Sequence, residues 1–326
     1  MRAIHRREFL TTAAAGGSLL FLRKAYGAPG RRLEGIFPIM QTPFSDSGAL
    51  DVETLAHEVL FLDRIGVQGM VWPQLASEFP LLNFDERLSG AEALVRANKA
   101  LDAKTRPAVV IGVQASDIET AVKYARHADK LAPDAIIAIP VNGGKDDAKQ
   151  MEYYTAIGEA CSRPLIVQTI GPMSVDLVLR MAKQIPMRYV KDEAGATLPR
   201  LTEYRKRGQL LQGVFTGKHG PTFLDDLARG AVGNMPAAGF ADLYVAAWQD
   251  WNNGKRDEAM GMFAKTLLLI ADAQAYGVAG QKYILQLRGV FSNTRCRGDA
   301  AALDDEAKEA IRRTVAYTQR WFRSGV

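Results

Sequence analysis

From residue 33 onward, short apolar runs alternate with longer amphipathic segments, and the alternation occurs eight times. A run that is apolar on both faces suits a strand buried in a parallel sheet, and parallel neighbours need a crossover long enough to hold a helix. The repeat therefore restricts the chain to parallel strands covered by helices on the outside. The strand runs read Gly35–Met40, Val67–Trp72, Pro107–Gly112, Ala135–Ile139, Pro164–Ile170, Arg188–Lys191, Leu210–Phe215 and Ala231–Met235. Between and after them the pattern predicts helices over Val52–Ile65, opened by Asp51, over Asp85–Ala103, and over Ile118–Leu131, opened by Ser116 or Asp117. Further helices are predicted over Ala148–Cys161, Val175–Gln184, Leu198–Arg207 (ended by Gly208), Pro221–Arg229 and Ala241–Asn252.

Eight such units across residues 33–254 indicate an α/β fold, a (β/α)8 TIM barrel, with a doubly wound sheet as the alternative. Asn252-Asn253-Gly254 marks the end of the repeat. Residues 255–326 carry no strand signal. Helical spacing runs through Met260-Phe263-Leu267-Ile270 and Ala307-Ile311-Val315-Trp321, which predicts a C-terminal helical extension of two or three helices.

One lysine stands out against this frame. Arg188-Tyr189-Val190-Lys191-Asp192-Glu193-Ala194-Gly195 places Lys191 at the end of the sixth run, before an acidic turn ended by glycine. An ammonium group is costly to desolvate, so a strand rarely accepts one unless it is paired or useful. Burial favours the free amine, which attacks a carbonyl to form a Schiff base. In a barrel the C-terminal ends of the strands form the face where catalytic groups collect, and Lys191 is predicted to lie there.

The first 28 residues read as an address. Arg6-Arg7 precede Phe9-Leu10, an apolar stretch follows from Thr12 to Leu22, and Ala25-Tyr26-Gly27-Ala28 offers small residues for cleavage. This is the form of a Tat-type signal peptide, predicting export through the Tat route to the periplasm or beyond. Its apolar stretch is too short for a spanning helix, so no stable membrane anchor is expected. The segment holds five of the 41 Lys and Arg and one of the 36 Asp and Glu, leaving 36 basic against 35 acidic residues. So balanced a charge gives no reason to expect nucleic acid or an anionic membrane as a partner. Cys161 and Cys296 are too few and too far apart for a disulfide framework or a CxxC site.

Several segments, in order, carry a family likeness. Thr42-Pro43-Phe44 and Gly48 open it, Gly66-Val67-Gln68-Gly69-Met70 leads to Glu78 and then Asp85-Glu86-Arg87, the Lys191 segment follows, and Gly217 ends the seventh run. In these the chain resembles the dihydrodipicolinate synthase and N-acetylneuraminate lyase family of Schiff-base-forming aldolases and lyases, over roughly residues 33–320. The resemblance implies a lysine nucleophile at Lys191, no cofactor, no metal, a small-molecule substrate and a homo-oligomer, either dimer or tetramer. No His/Asp/Glu cluster of ligand spacing appears, and an imine already supplies an electron sink.

The departures from the family pattern bear on function. Where such proteins carry Gly-Thr-Thr-Gly-Glu to hold the substrate carboxylate, this chain has Gln74-Leu75-Ala76-Ser77-Glu78. At the position of the proton-relaying tyrosine it has Gln168, whose amide does no acid-base work near neutral pH. An aromatic pair is replaced by Val141-Asn142. Lys218 and His219, after Gly217, are candidates to bind a carboxylate and to move protons. The expected catalytic residues are Lys191 and His219. Gln74, Ala76, Gln168, Thr169, Glu193, Gly217 and Lys218 are expected to bind substrate, with Trp72 also lining the pocket. His57 and His127, within helices, are expected to be structural. The expected function is a lyase or aldolase acting on a 2-oxo acid or related carbonyl compound through an imine on Lys191. A catalytically silent small-molecule-binding barrel and an imine-dependent dehydratase or hydratase are the alternatives.

Overall fold

The computed structural model describes residues 31–298 and 302–323; the signal peptide expected over residues 1–28 lies outside them. The strands are β1 (Gly35–Ile36), β2 (Gly69–Trp72), β3 (Ala108–Gly112), β4 (Ala135–Ala138), β5 (Leu165–Thr169), β6 (Met187–Asp192), β7 (Gly213–Thr216) and β8 (Gly233–Asn234). All pair in parallel in the order β1-β8-β7-β6-β5-β4-β3-β2. The ring closes where Ile39 bridges Val71, with the Met40 amide 3.0 Å from the Val71 carbonyl and the Val71 amide 3.0 Å from that of Pro38. Strand order that runs round in sequence and returns to its start is a (β/α)8 TIM barrel; a doubly wound sheet would reverse at its middle.

Two apolar layers follow from the twofold alternation of strand side chains. Phe37, Val71, Val110, Ile137, Ile166, Tyr189 and Phe215 point inward and fill the barrel, with the Phe37 and Phe215 rings 4.9 Å apart. Met70, Val109, Ile136, Val167 and Val190 point outward under the helices. The helices are α1 (Val52–Arg64), α2 (Phe84–Lys99), α3 (Ile118–Leu131), α4 (Asp147–Ala160), α5 (Val175–Gln184), α6 (Thr197–Arg207), α7 (Phe223–Ala228) and α8 (Ala241–Asn252). Asp51, Asp117 and Ser174 cap α1, α3 and α5 by accepting the backbone N–H three residues on.

Where element ends differ from the sequence pattern, local chemistry explains it. Helix α2 starts earlier than Asp85 because Asn83 and Glu86 form a reciprocal cap, each side chain 2.9 Å from the other's amide. β7 starts later than Leu210 because Leu211 turns back to the Gly208 carbonyl and Leu210 stays exposed. β8 is short, and a Cβ at Gly233 would lie 1.8 Å from the Gly35 carbonyl oxygen, so only glycine lets β8 close against β1.

Helix α9 (Arg256–Leu287), broken at Gly277 (φ 56°), and helix α10 (Asp305–Thr318) make the C-terminal extension. Phe263, Ile270, Ile284, Ile311 and Val315 join the outer apolar layer, so extension and barrel share one core. Among the described residues, no helix is long and apolar enough to cross a membrane.

Candidate active site

Lys191 lies on β6 opposite Gln168 of β5, and Asp192 lies opposite Thr169. Alternation sends the first pair into the barrel mouth and the second outward. The outward pair fixes the inward one: Asp192 takes three hydrogen bonds from the Arg200 guanidinium (2.7, 2.9 and 3.2 Å), one from Thr169 (2.8 Å) and one from Tyr204 (3.1 Å). A bidentate guanidinium-carboxylate pair is directional, so β6 is locked to α6 one residue beyond Lys191.

Inside the mouth, Lys191 Nζ lies 3.4 Å from Glu193 Oε1, and both side chains are nearly inaccessible. Glu193 also accepts from Gln168 Nε2 (2.5 Å) and from the Lys218 amide (2.8 Å). Burial pushes the Glu193 carboxyl up, but the Lys191 ammonium, the Lys218 amide and Gln168 together outweigh burial and hold it below the ordinary glutamate range. A Cβ on Gly217 would stand 1.8 Å from Glu193 Oε1, so the glycine gives this carboxylate its place.

The turn after β7 holds three successive left-handed residues, Lys218 (φ 53°), His219 (φ 60°) and Gly220 (φ 55°). For the two that carry a Cβ this costs about 1–2 kcal/mol each. The conformation aims the Lys218 amide at Glu193 and brings His219 to the cavity, and Tyr244 donates its hydroxyl to the His219 carbonyl. Burial, then the Lys191 charge, pushes the His219 imidazole below its usual range against the opposing pull of Glu193. Its Nδ1 is buried without a partner.

These groups share a cavity of about 110 Å³. Gln74, Gln168, Lys191, Glu193, Lys218 and His219 make its polar wall, and Ile39, Leu75, Ala76, Met235, Pro236 and Ala237 its apolar wall. A larger hollow of about 490 Å³, between the break in α9 and the start of α10, is lined by none of these groups and lies away from the strand ends. We take the smaller cavity as the site because it holds the amine, the carboxylate and the imidazole together.

Seven of the residues singled out in the sequence meet here: Lys191, His219, Gln74, Ala76, Gln168, Glu193 and Lys218. Three do not line the cavity. Thr169 faces outward, where its hydroxyl bonds Asp192. Trp72 also faces outward, its indole N–H on the Thr42 hydroxyl (3.0 Å) and its ring so close to Gly90 of α2 that a Cβ there would lie 2.2 Å away. Gly217 gives clearance rather than contact. His57 is exposed on α1, and His127 pairs with Glu92 at 2.9 Å, both away from the cavity. Apart from Ala76, sequence reasoning missed the apolar wall. Ile39 and Met235-Pro236-Ala237 follow β1 and β8, and the rule that barrel sites gather beyond strand ends would have found them.

Fold and cavity together define a (β/α)8-barrel enzyme with an amine and a carboxylate side by side at the mouth. The model of the dihydrodipicolinate synthetase family matches residues 32–318, and the chain belongs to that family. It is similar to L-2-keto-3-deoxyarabonate dehydratase of Azospirillum brasilense, 27% identical over 305 residues that cover 89% of this chain and 97% of the relative. It is also similar to 4-hydroxy-tetrahydrodipicolinate synthase of Rhizobium meliloti (strain 1021), 26% identical over 287 residues covering 85% and 96%. The crystal structure of dihydrodipicolinate synthase from Rhodopseudomonas palustris shares the fold with a TM-score of 0.78, 23% identity, and coverage of 87% of this chain and 97% of that one. The chain is a lyase of this family.

Proposed function

We propose that this lyase joins Lys191 Nζ to C2 of a 2-oxo acid as an imine and eliminates water from the carbon chain beyond it. The observation that carries the reading is the Lys191–Glu193 pair, 3.4 Å apart in the cavity. Glu193 is a carboxylate held in its charged form, so it accepts the proton that the ammonium must lose before it can attack. Attack at C2 followed by loss of the carbonyl oxygen as water gives the iminium. The iminium draws electrons from the C3–H bond; a base takes that proton, the C4–O pair leaves, and the departing hydroxide gains a proton to become water. Glu193 and the neutral His219 are the groups placed to move these protons. Two points support elimination over aldol cleavage: Gln168 stands where the family's tyrosine relay would be, and one of the relatives similar along almost their whole length is named a dehydratase.

The test uses the mature protein, a panel of 2-oxo acids and borohydride, with mass spectrometry locating the reduced adduct. The adduct is expected on Lys191 alone and absent from Lys191→Arg, since a guanidinium stays charged and forms no imine. Adduct on Lys218, the neighbouring amine, sinks the assignment, and no adduct with any acid leaves a silent binding barrel.

The same reading includes a homo-oligomer, dimer or tetramer, as members of this family are typically oligomeric. It also puts the mature enzyme outside the cytoplasm, on the strength of Arg6-Arg7 and the apolar stretch that follows. Exchanging both arginines for lysine is expected to keep a reporter fused to residues 1–28 in the cytosol; continued export would point to a different route.

A further inference from the structure

The geometry points to Gln74 and Gln168 as the residues that select the substrate, each reading a hydroxyl on the carbon chain beyond the imine; this rests on the Lys191 reading above. Both line the cavity, both are 1% exposed, and each has a side-chain oxygen buried without a partner. An amide offers a donor at one end and an acceptor at the other, and its neighbours fix which end points where.

For Gln74 the orientation is set from Pro73. The Pro73 carbonyl can only accept, so the Gln114 group 2.8 Å from it is Nε2. Gln114 therefore presents Oε1 to Gln74, and Gln74 must answer with its own Nε2, at 3.1 Å. What is left without a partner is Gln74 Oε1. For Gln168 the partner is Glu193, a carboxylate that only accepts, so Nε2 faces it and Oε1 is left over. Two residues of the polar wall thus each carry an acceptor of fixed orientation that no protein group meets.

An unmet buried acceptor disfavours a methylene beside it, and a carboxylate more so, because neither can donate. A hydroxyl satisfies it. The substrate class is then a 2-oxo acid with hydroxyls on the carbons beyond C3. Its own carboxylate belongs toward Lys218, whose ammonium meets a backbone carbonyl (Gly195, 3.2 Å) and no carboxylate among the described residues. The apolar wall of Ile39, Leu75 and Met235 takes the carbon side of such a chain.

The experiment compares 4,5-dihydroxy-2-oxopentanoate with 2-oxopentanoate, which differ only in the two hydroxyls, by the concentration that half-saturates borohydride trapping on Lys191. The dihydroxy acid is expected to half-saturate about ten- to a hundredfold lower, the size expected when buried acceptors are met in one complex and not in the other. Gln74→Met, similar in length but without the acceptor, is expected to narrow that ratio by about tenfold. Because the readout is a ratio, a partly misfolded variant does not mimic the effect, and the wild-type comparison stands without the variant. Equal half-saturation by the two acids overturns the proposal while leaving the imine intact. An unchanged ratio in Gln74→Met overturns the role of Gln74. Trapping of neither acid overturns the imine reading and this proposal with it.

Discussion

Lys191 and Glu193 are two residues apart, so the alternation that carries one side chain into the barrel mouth carries the other there too, with Asp192 between them turned outward to Arg200. The pair is a proton donor and acceptor in one step. Glu193→Gln keeps the shape and the contact to the Lys218 amide but removes the base, and is expected to slow turnover by about 10²–10⁴, the usual range for a lost acid-base group. The sign with pH follows from a carboxyl held below its ordinary value of 4.5. Its charged form is favoured in the folded state, so its contribution to stability is present above about pH 4.5 and is lost as pH falls through the folded value. Glu193 should therefore stay charged to below pH 4.5, and the difference in thermal midpoint between wild type and Glu193→Gln should shrink there. A variant that turns over at the wild-type rate near pH 7 would show that the proton goes elsewhere.

At the scale of the element, the eight strands were legible because each is an apolar run between helices, and their order gave the barrel. Which residues of a run point inward was not. A strand buried on both faces carries no polar alternation to mark its phase. Trp72 and Thr169 were therefore expected in the pocket although both face outward, and Thr169 is tied to Asp192. Phase is set by pairing across the sheet, here Gln168 opposite Lys191, and that information lies in the neighbouring strand. Lys191 itself was legible because a charge ending an apolar run needs a reason wherever it points. The left-handed turn at Lys218-His219 was legible only as a place, after Gly217; its conformation depends on the Glu193 carboxylate, one residue beyond β6, and on the Tyr244 hydroxyl of α8.

Across the whole molecule, the C-terminal helices hold the barrel mouth as well as share its core. Lys282 of α9 is fully buried, pairs with Glu78 in the segment between β2 and α2, and donates to the Arg295 carbonyl at 2.7 Å. Arg297 reaches Glu86 with two hydrogen bonds, and its amide bonds Glu78 at 2.7 Å. Gln281, next to Lys282, accepts from Gln41 at 3.1 Å, two residues from Ile39 in the cavity wall. Glu58 stands behind Gln41; burial raises its carboxyl well above the ordinary range, opposed by the Gln41 amide and by Lys282. The sequence hid this layer because its partners lie some two hundred residues apart. Removing one member of a buried ion pair leaves the other charge uncompensated, whereas removing both is often close to neutral. Lys282→Met should cost about 3–5 kcal/mol, at the low end because the Arg297 amide still serves Glu78. The double variant Lys282→Met/Glu78→Gln should recover most of that loss, since the glutamine keeps an oxygen for the Arg297 amide. Thermal melts of the three proteins decide it. A double variant no more stable than the single one would show that Lys282 contributes through packing against Phe44, 4.5 Å from its ammonium, rather than through the charge it neutralises.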